Sequence, residues 1–315
     1  MRWQRLVLET RKAAKRTTNR IRSGLVGLRG GSPRVAIASC DRFLGKVYDD
    51  LLLQGEFLRQ GFKAQIVSWQ DSTVNWADFD AAVVGSMWGY QNFLPDFERW
   101  LGIVENQTVL INPAAVIRAN YDKARQLQEL QQAKIPVIPT QVIRIDGLDK
   151  LTLPDDKFVI KPAISGSGEN TFLVKNRADF AKLRGDLRSL NQMRELLVQP
   201  FVPEIRAGEL GIIVVGGEIV NVVRRFPGVI EGEYRVQAVQ KAQLSQKIRE
   251  LVQSILALSE YKVTTYLRID VVEREGLPLV MEVEAFEPQL YYYLLQGASR
   301  KQVLARMVAE VAQKI

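Results

Sequence analysis

Short apolar runs alternate with longer amphipathic stretches over residues 34–113. Arg34–Ser39 (RVAIAS) is short, apolar and β-branched, the signature of a buried strand, and Phe62–Trp69, Ala81–Ser86 and Thr108–Ile111 read as three further strands. Between them, Val47–Gln60 and a stretch around Phe93–Val104 repeat their apolar positions at helical spacing, and Gly61 supplies a stop for the first. Strand, helix, strand at this rhythm predicts a parallel, doubly wound α/β sheet ending near Asn112-Pro113.

From residue 114 the pattern changes. A helix over Tyr121–Ala133 and a strand-like Pro136–Ile145 precede Lys157–Ala163 (KFVIKPA), a Gly/Ser loop, Thr171–Val174, a helix near Arg177–Leu190 and Glu195–Phe201. These strands read as hairpin-like pairs rather than βαβ repeats. A third unit opens with Glu209–Val215 and Glu218–Arg225 around Gly216-Gly217, which predicts a tight hairpin with a primed turn. A helix over Leu244–Leu258 follows. Strands Thr264–Glu273 and Leu279–Phe286, joined by a turn at Gly276-Leu277-Pro278, and a C-terminal helix over Ser299–Lys314 complete the chain. The expected organisation is therefore an arm (1–33), a doubly wound domain (34–113) and an α+β region (114–315) with a division at 202/203.

Composition removes several chemistries. Histidine is absent, so a Ser-His-Asp triad and a histidine-ligated zinc are excluded. Cys40 is the single cysteine, which excludes an intrachain disulfide and a thiolate cluster, and it reads as a small buried residue. What remains is chemistry by carboxylates, lysines, arginines and bound metal, in a reducing, cytoplasmic setting. The net charge of +8 is local, because residues 1–33 carry nine basic side chains against one acid, Glu9, while the rest is balanced. A balanced body argues against specific nucleic-acid binding. The arm lacks the apolar core of a secretory signal. A solvated extension, a targeting segment and an amphipathic helix making weak peripheral membrane contact all fit its composition.

Candidate chemistry concentrates near the C-terminus. Glu282 and Glu284 in VMEVEAF are two apart and share a face of their strand, and an antiparallel partner would bring Asp270 of LRIDVV opposite them. Three converging carboxylates need cations between them, and an all-oxygen set suits magnesium; an acidic solvent-facing edge accounts equally for the E-x-E pattern. Upstream, Lys161 ends an apolar strand and precedes Ser165-Gly166-Ser167-Gly168, a loop able to present backbone N–H groups to phosphate or to serve as a plain turn. It lacks the G-K-[ST] of a Walker A loop. Lys123, Arg224, Arg225 and Arg235 are further basic candidates, each equally a surface charge. Arg268 stands two residues before Asp270, on the same face, as part of a metal-phosphate site or as an ion pair.

With these residues assembled, the chain from Arg34 to the C-terminal helix resembles the ATP-grasp superfamily, in particular the D-cycloserine ligase-like and glutathione synthetase-like ligases. The motifs are Asp49-Asp50 in the first helix, Trp88-Gly89-Tyr90, Asn112-Pro113 and NYDKARQLQELQQAKIPVIPT. The resemblance implies a pre-ATP-grasp domain followed by a two-lobed ATP-grasp domain. The activity it implies is an ADP-forming ligase using ATP and Mg2+, with two ions expected and Mn2+ as an alternative, to join a small carboxylic acid to an amine. It assigns Lys123 and Lys161 to the ATP phosphates and Ser165, Gly166, Ser167 and Gly168 to a loop closing over them. Gln199, Phe201 and Val202 would hold adenine, Glu209 ribose, and Arg225, Arg235 and Arg268 the phosphate and acyl phosphate. Asp270, Glu282 and Glu284 would bind the metal. A homodimer is a further implication.

Two departures stand out. Glu284 occupies a position where asparagine is common in the superfamily. GSMWGY replaces the R-S-T-W-D-Y often seen in the subgroup, so Gly85 and Gly89 stand where a cation and an anion are usual, beside the expected acceptor pocket. They motivate a competing expectation, a nucleotide-binding regulatory or scaffold protein without ligase activity, tethered to membrane or polyanion by its basic arm.

Overall fold

The computed structural model describes residues 31–154, 157–166, 168–190, 195–228 and 233–315. Residues 1–30 of the basic arm, and Ser167, lie outside them. The chain forms two compact units. One comprises residues up to Ala114 with Thr264–Tyr266 and Glu287–Ile315, the other Ala115–Val263 with Leu267–Phe286. The C-terminal segment thus groups with the first unit and not with the residues that precede it in the chain. Among the described residues no helix is long and apolar enough to cross a membrane.

The first unit holds β1 (Arg34–Ser39), α1 (Tyr48–Arg59), β2 (Lys63–Ser68), β3 (Ala81–Val84), α2 (Leu94–Gln107) and β4 (Val109–Ile111). The strands form one parallel sheet in the order β2-β1-β3-β4. Its central strands are buried on both faces, which is why they read as continuous apolar runs. Gly61 ends α1 with φ +91°, a left-handed conformation that glycine adopts without steric cost. Trp69, Trp76, Phe97 and Trp100 interlock beside the sheet at centroid separations of 5.5–6.3 Å. Such aromatic pairs contribute about 0.5–1.5 kcal/mol each beyond their buried area. Cys40 is buried, as expected, with its thiol donating to the Trp88 carbonyl at 3.3 Å.

The second unit opens with α3 (Ala114–Asn120), a turn the sequence pattern did not single out, and α4 (Lys123–Gln132). Asp122 caps α4 by accepting from the Ala124 and Arg125 amides, so the helix starts at Lys123 rather than Tyr121. One antiparallel sheet comprises β5 (Gln141–Arg144), β6 (Phe158–Pro162), β7 (Phe172–Val174) and β8 (Glu195–Pro200), in the order β5-β8-β6-β7. Helix α5 (Arg177–Ser189) packs on it through Phe180 and Leu187. The expected strand Pro136–Ile145 shortens to β5 because Pro136–Ile138 pairs with Val280 of the other sheet instead.

That other sheet is built from β9 (Glu209–Val215), β10 (Glu218–Phe226), β11 (Arg235–Ala238), β12 (Tyr266–Arg274) and β13 (Leu277–Glu284), in the order β11-β10-β9-β12-β13. Gly216 and Gly217 both have positive φ, +57° and +76°, as a primed hairpin turn requires. The last hairpin turns at Glu275-Gly276, φ +53° and +72°, so Leu277 and Pro278 are strand residues and not the turn. Helices α6 (Gln246–Leu256) and α7 (Ser259–Lys262) follow β11, and α6 covers one face of the sheet through Ile248, Leu251, Val252 and Ile255. The chain ends in α8 (Gly297–Ala312), within the first unit.

Candidate active site

One face of the β9–β13 sheet carries a network of charges whose register is set by strand pairing. Arg268 lies opposite Glu284 and Asp270 opposite Glu282, in an antiparallel pair interrupted by a bulge between Asp270 and Val271. Across the sheet, Arg225 of β10 lies opposite Glu209 of β9. Arg268 is buried and grips Asp270 with Nε at 2.8 Å and Nη2 at 2.9 Å. Its Nη2 also reaches Glu284 Oε1 at 2.7 Å. Arg225 bridges Asp270 Oδ2 at 2.7 Å and Glu209 Oε1 at 2.8 Å.

Burial drives the Asp270 carboxyl upward, but Arg225 and Arg268 outweigh it and hold it below the ordinary carboxylate range. Glu209 goes the other way, because burial raises it more than Arg225 lowers it. Glu284 is raised to about 7 by burial; Arg268 opposes the rise, while Glu282 and Asp270 add to it.

Carboxylate oxygens of Asp270, Glu282 and Glu284 lie within 4.8 Å of one another. An all-oxygen set of this spacing, with protonation favoured at one member, fits a hard divalent cation such as Mg2+. Two lysines approach the same acids from the other sheet and from α4. Lys123, the first residue of α4, reaches Glu282 Oε1 at 3.4 Å and donates to the carbonyl and hydroxyl of Ser165. Lys161, near the end of β6, is held below the ordinary lysine range by burial first and by Lys123 second, with Glu282, Glu209 and Asp270 pulling the other way.

Ser165 is buried and pinned to Lys123, Gly166 accepts from the Glu169 amide at 2.9 Å, and Gly168 has φ +72°. Ser167 is outside the described residues. Gln199 is buried and donates from Nε2 to Thr140 at 2.8 Å, while the Phe201 amide donates to Lys157 at 2.9 Å. Val202 packs with Ile138 and Val272, flanked by Leu279 and Met281. The sequence reading missed the last four of these. Their signal was present, since Leu279 and Met281 precede Glu282 on an alternating strand, but their packing against Val202 joins residues far apart in the chain and has no sequence mark.

The remaining candidate residues have the following contacts. Arg235 lies on the edge strand β11 with its guanidinium over the Phe226 ring at 4.6 Å. Arg224 donates to the Ala207 and Gly208 carbonyls at 3.1 and 3.2 Å. Glu209 is paired with Arg225 at 2.8 Å. In the first unit, Asp49 accepts from the Tyr291 and Tyr293 amides at 2.7 and 3.2 Å, and Asp50 from the Ser86 hydroxyl. A Cβ at Gly85 would come within 2.6 Å of Asp50 Oδ1, and Gly89 has φ +97°, so both glycines of GSMWGY have local reasons.

Comparison with known proteins agrees with this architecture. Residues 35–112 match the N-terminal domain of D-cycloserine synthetase DcsG, and residues 120–296 match the RimK-like ATP-grasp domain. The cycloserine biosynthesis protein DcsG of Streptomyces lavendulae is 27% identical over 250 residues, spanning 73% of this chain and 83% of that protein. The crystal structure of D-cycloserine synthetase DcsG superposes with a TM-score of 0.78 at 22% identity, over 89% of this chain and 99% of that one. D-alanine–D-alanine ligase from Bacillus anthracis complexed with ATP gives 0.61 at 14% identity, over 90% and 97%. With its ATP-grasp match covering more than half of its length, the chain belongs to the RimK-like ATP-grasp family and is an ATP-dependent ligase.

Proposed function

We propose that the ligase activates a small carboxylic acid as an acyl phosphate and transfers it to an amine or related nucleophile. A carboxylate oxygen of the substrate attacks the γ-phosphorus of ATP, a new P–O bond forms, and the bond to the β-phosphate oxygen breaks to release ADP. The nucleophile's lone pair then attacks the acyl carbon, phosphate leaves with the bonding pair, and the nucleophile's proton is released. No protein nucleophile is needed, which fits a chain without histidine and with its single cysteine buried.

The observation that carries this reading is the meeting of Lys123 with Glu282 at 3.4 Å, beside Lys161 and the Asp270–Glu284 cluster. Lysines and carboxylates that face one another at close range match a metal-bound triphosphate, whose negative charge the lysines neutralise and whose cation the acids hold. Asp270, Glu282 and Glu284 would hold Mg2+, with Mn2+ as a substitute, and the ion would neutralise phosphate charge. Lys123 and Lys161 bind and orient phosphate oxygens, and Arg268 keeps Asp270 ionised and aimed. The apolar group Ile138, Val202, Val272, Leu279 and Met281 suits the faces of an adenine ring.

The reading is tested by thermal unfolding with and without Mg-ATP, followed by an ADP-release screen across amino acids and hydroxy acids. Nucleotide at roughly a hundred times its dissociation constant adds about 2.7 kcal/mol of stability. Stabilisation by Mg-ATP with ADP release in one acid–amine mixture is the expected result. Stabilisation without ADP release in any mixture would favour a nucleotide-binding protein that does not ligate.

A further inference from the structure

β13 is the edge strand of its sheet, so one side of its backbone has no neighbouring strand. The outward groups at Val283 and Ala285 are nevertheless buried, and buried backbone groups left unpaired cost about 1–3 kcal/mol each. Two side-chain amides take the place of a strand. Gln126 of α4 donates from Nε2 to the Val283 carbonyl at 2.7 Å and accepts from the Val283 amide at 2.9 Å. Asn120, at the end of α3, donates from Nδ2 to the same carbonyl at 2.7 Å and accepts from the Ala285 amide at 2.7 Å. Gln126 also donates to the Asn120 carbonyl at 3.2 Å, which joins the two residues into one clamp.

The clamp's position bears on function. Val283 is the residue between Glu282 and Glu284, and Lys123 lies midway between Asn120 and Gln126 in the sequence. Upstream of these acids the ladder with β12 is broken by the bulge at Met281, so Glu282, Val283 and Glu284 keep their register through a short run of three pairs with Asp270, Ile269 and Arg268. A slip of one residue would turn both carboxylates to the opposite face. Helix α4 is itself fixed between the two sheets, through Leu130 on one side and Ala124 and Leu127 against Ala163 and Leu197 on the other.

We infer that Asn120 and Gln126 are positioning residues that lock the two glutamates of the metal site in register with the phosphate lysine Lys123. This rests on the proposed function, because it presumes that Asp270, Glu282 and Glu284 hold the cation. A purely structural edge cover would affect stability alone. A positioning clamp also sets metal affinity, and groups that orient metal ligands are worth about 10–100-fold when removed.

The experiment is Mn2+ binding to the full chain in the presence of ADP, followed by the electron paramagnetic resonance of the free ion. It uses wild type, Asp270→Asn, Gln126→Met, Gln126→Glu and the core variant Val252→Ala. Gln126→Met is expected to weaken Mn2+ binding about tenfold or more. Gln126→Glu, which keeps an acceptor for the Val283 amide, should fall between it and wild type. Val252→Ala should lower the unfolding temperature without changing Mn2+ affinity. Unchanged affinity in both folded Gln126 variants, with wild type binding normally, would overturn the positioning role and leave the metal site standing. Wild type that binds no Mn2+, or an Asp270→Asn that binds like wild type, would instead remove the metal reading, and the inference with it.

Discussion

Arg268 holds Asp270, two residues along the same strand, through two nitrogens of its guanidinium, and both side chains are buried. The same guanidinium reaches Glu284 across the ladder, so one cation supports two of the three clustered carboxylates. Removing one partner of a buried ion pair strands the other charge and costs about 3–5 kcal/mol. Arg268→Met is therefore expected to lower the unfolding free energy by that amount, read as a lower urea midpoint with an unchanged slope. A loss below about 1 kcal/mol would show that Arg225 alone compensates Asp270.

Lys161 is pulled below its ordinary pKa range by burial and by Lys123, yet three carboxylates around it favour its charge. A fixed cation at a developing phosphoryl charge is worth about 3–4 kcal/mol, by analogy with oxyanion donors. Lys161→Ala should then reduce ATP-dependent turnover by about a hundredfold or more. Near-normal ADP release in this variant would take Lys161 out of the phosphate site.

Gly211 of β9 lies beneath the arginines. A Cβ there would stand 3.3 Å from Arg268 Cδ, 3.4 Å from Arg225 Cδ and 3.0 Å from Val223 Cγ2. Gly211→Val overpacks this layer at a cost of about 1–3 kcal/mol and displaces both guanidinium groups. Turnover should fall by more than the loss of folded protein explains. Activity that tracks the folded fraction alone would mean the arginines move freely.

Asp49 and Asp50 are buried in the first unit, and burial raises them to about 7 and about 6, from 3.8. The folded chain thus binds more protons than the unfolded chain between pH 4 and 7. The sign follows directly: stability is highest below the unfolded pKa and falls as pH rises through the folded values. Asp50→Asn retains an oxygen for the Ser86 hydroxyl and should flatten that decline. Denaturant midpoints measured from pH 4 to 8 decide the matter, and a variant profile parallel to wild type would contradict it.

Much of the architecture lay in local pattern. β1 and β3 declare themselves because strands buried on both faces must be apolar throughout, and the Gly216-Gly217 hairpin because two consecutive positive φ values call for glycine. The pairing of Asp270 with Glu282 follows from period-two alternation once the two strands are taken as antiparallel. Other features had no such mark. Strand order puts Arg235 on the edge strand, with its guanidinium over the Phe226 ring, a placement with no mark in the sequence.

The sequence by itself determined the strands and helices, the grouping of acids near the C-terminus and the absence of histidine and disulfide chemistry, because each depends on residue type or short-range spacing. Only the tertiary structure decided that Glu209 is tied to Arg225, that Leu279 and Met281 pack against Val202's cluster, and that Asn120 and Gln126 close the edge at Val283. Those contacts join residues from 16 to 165 positions apart. They depend on register and packing between elements, which no local window of the chain contains.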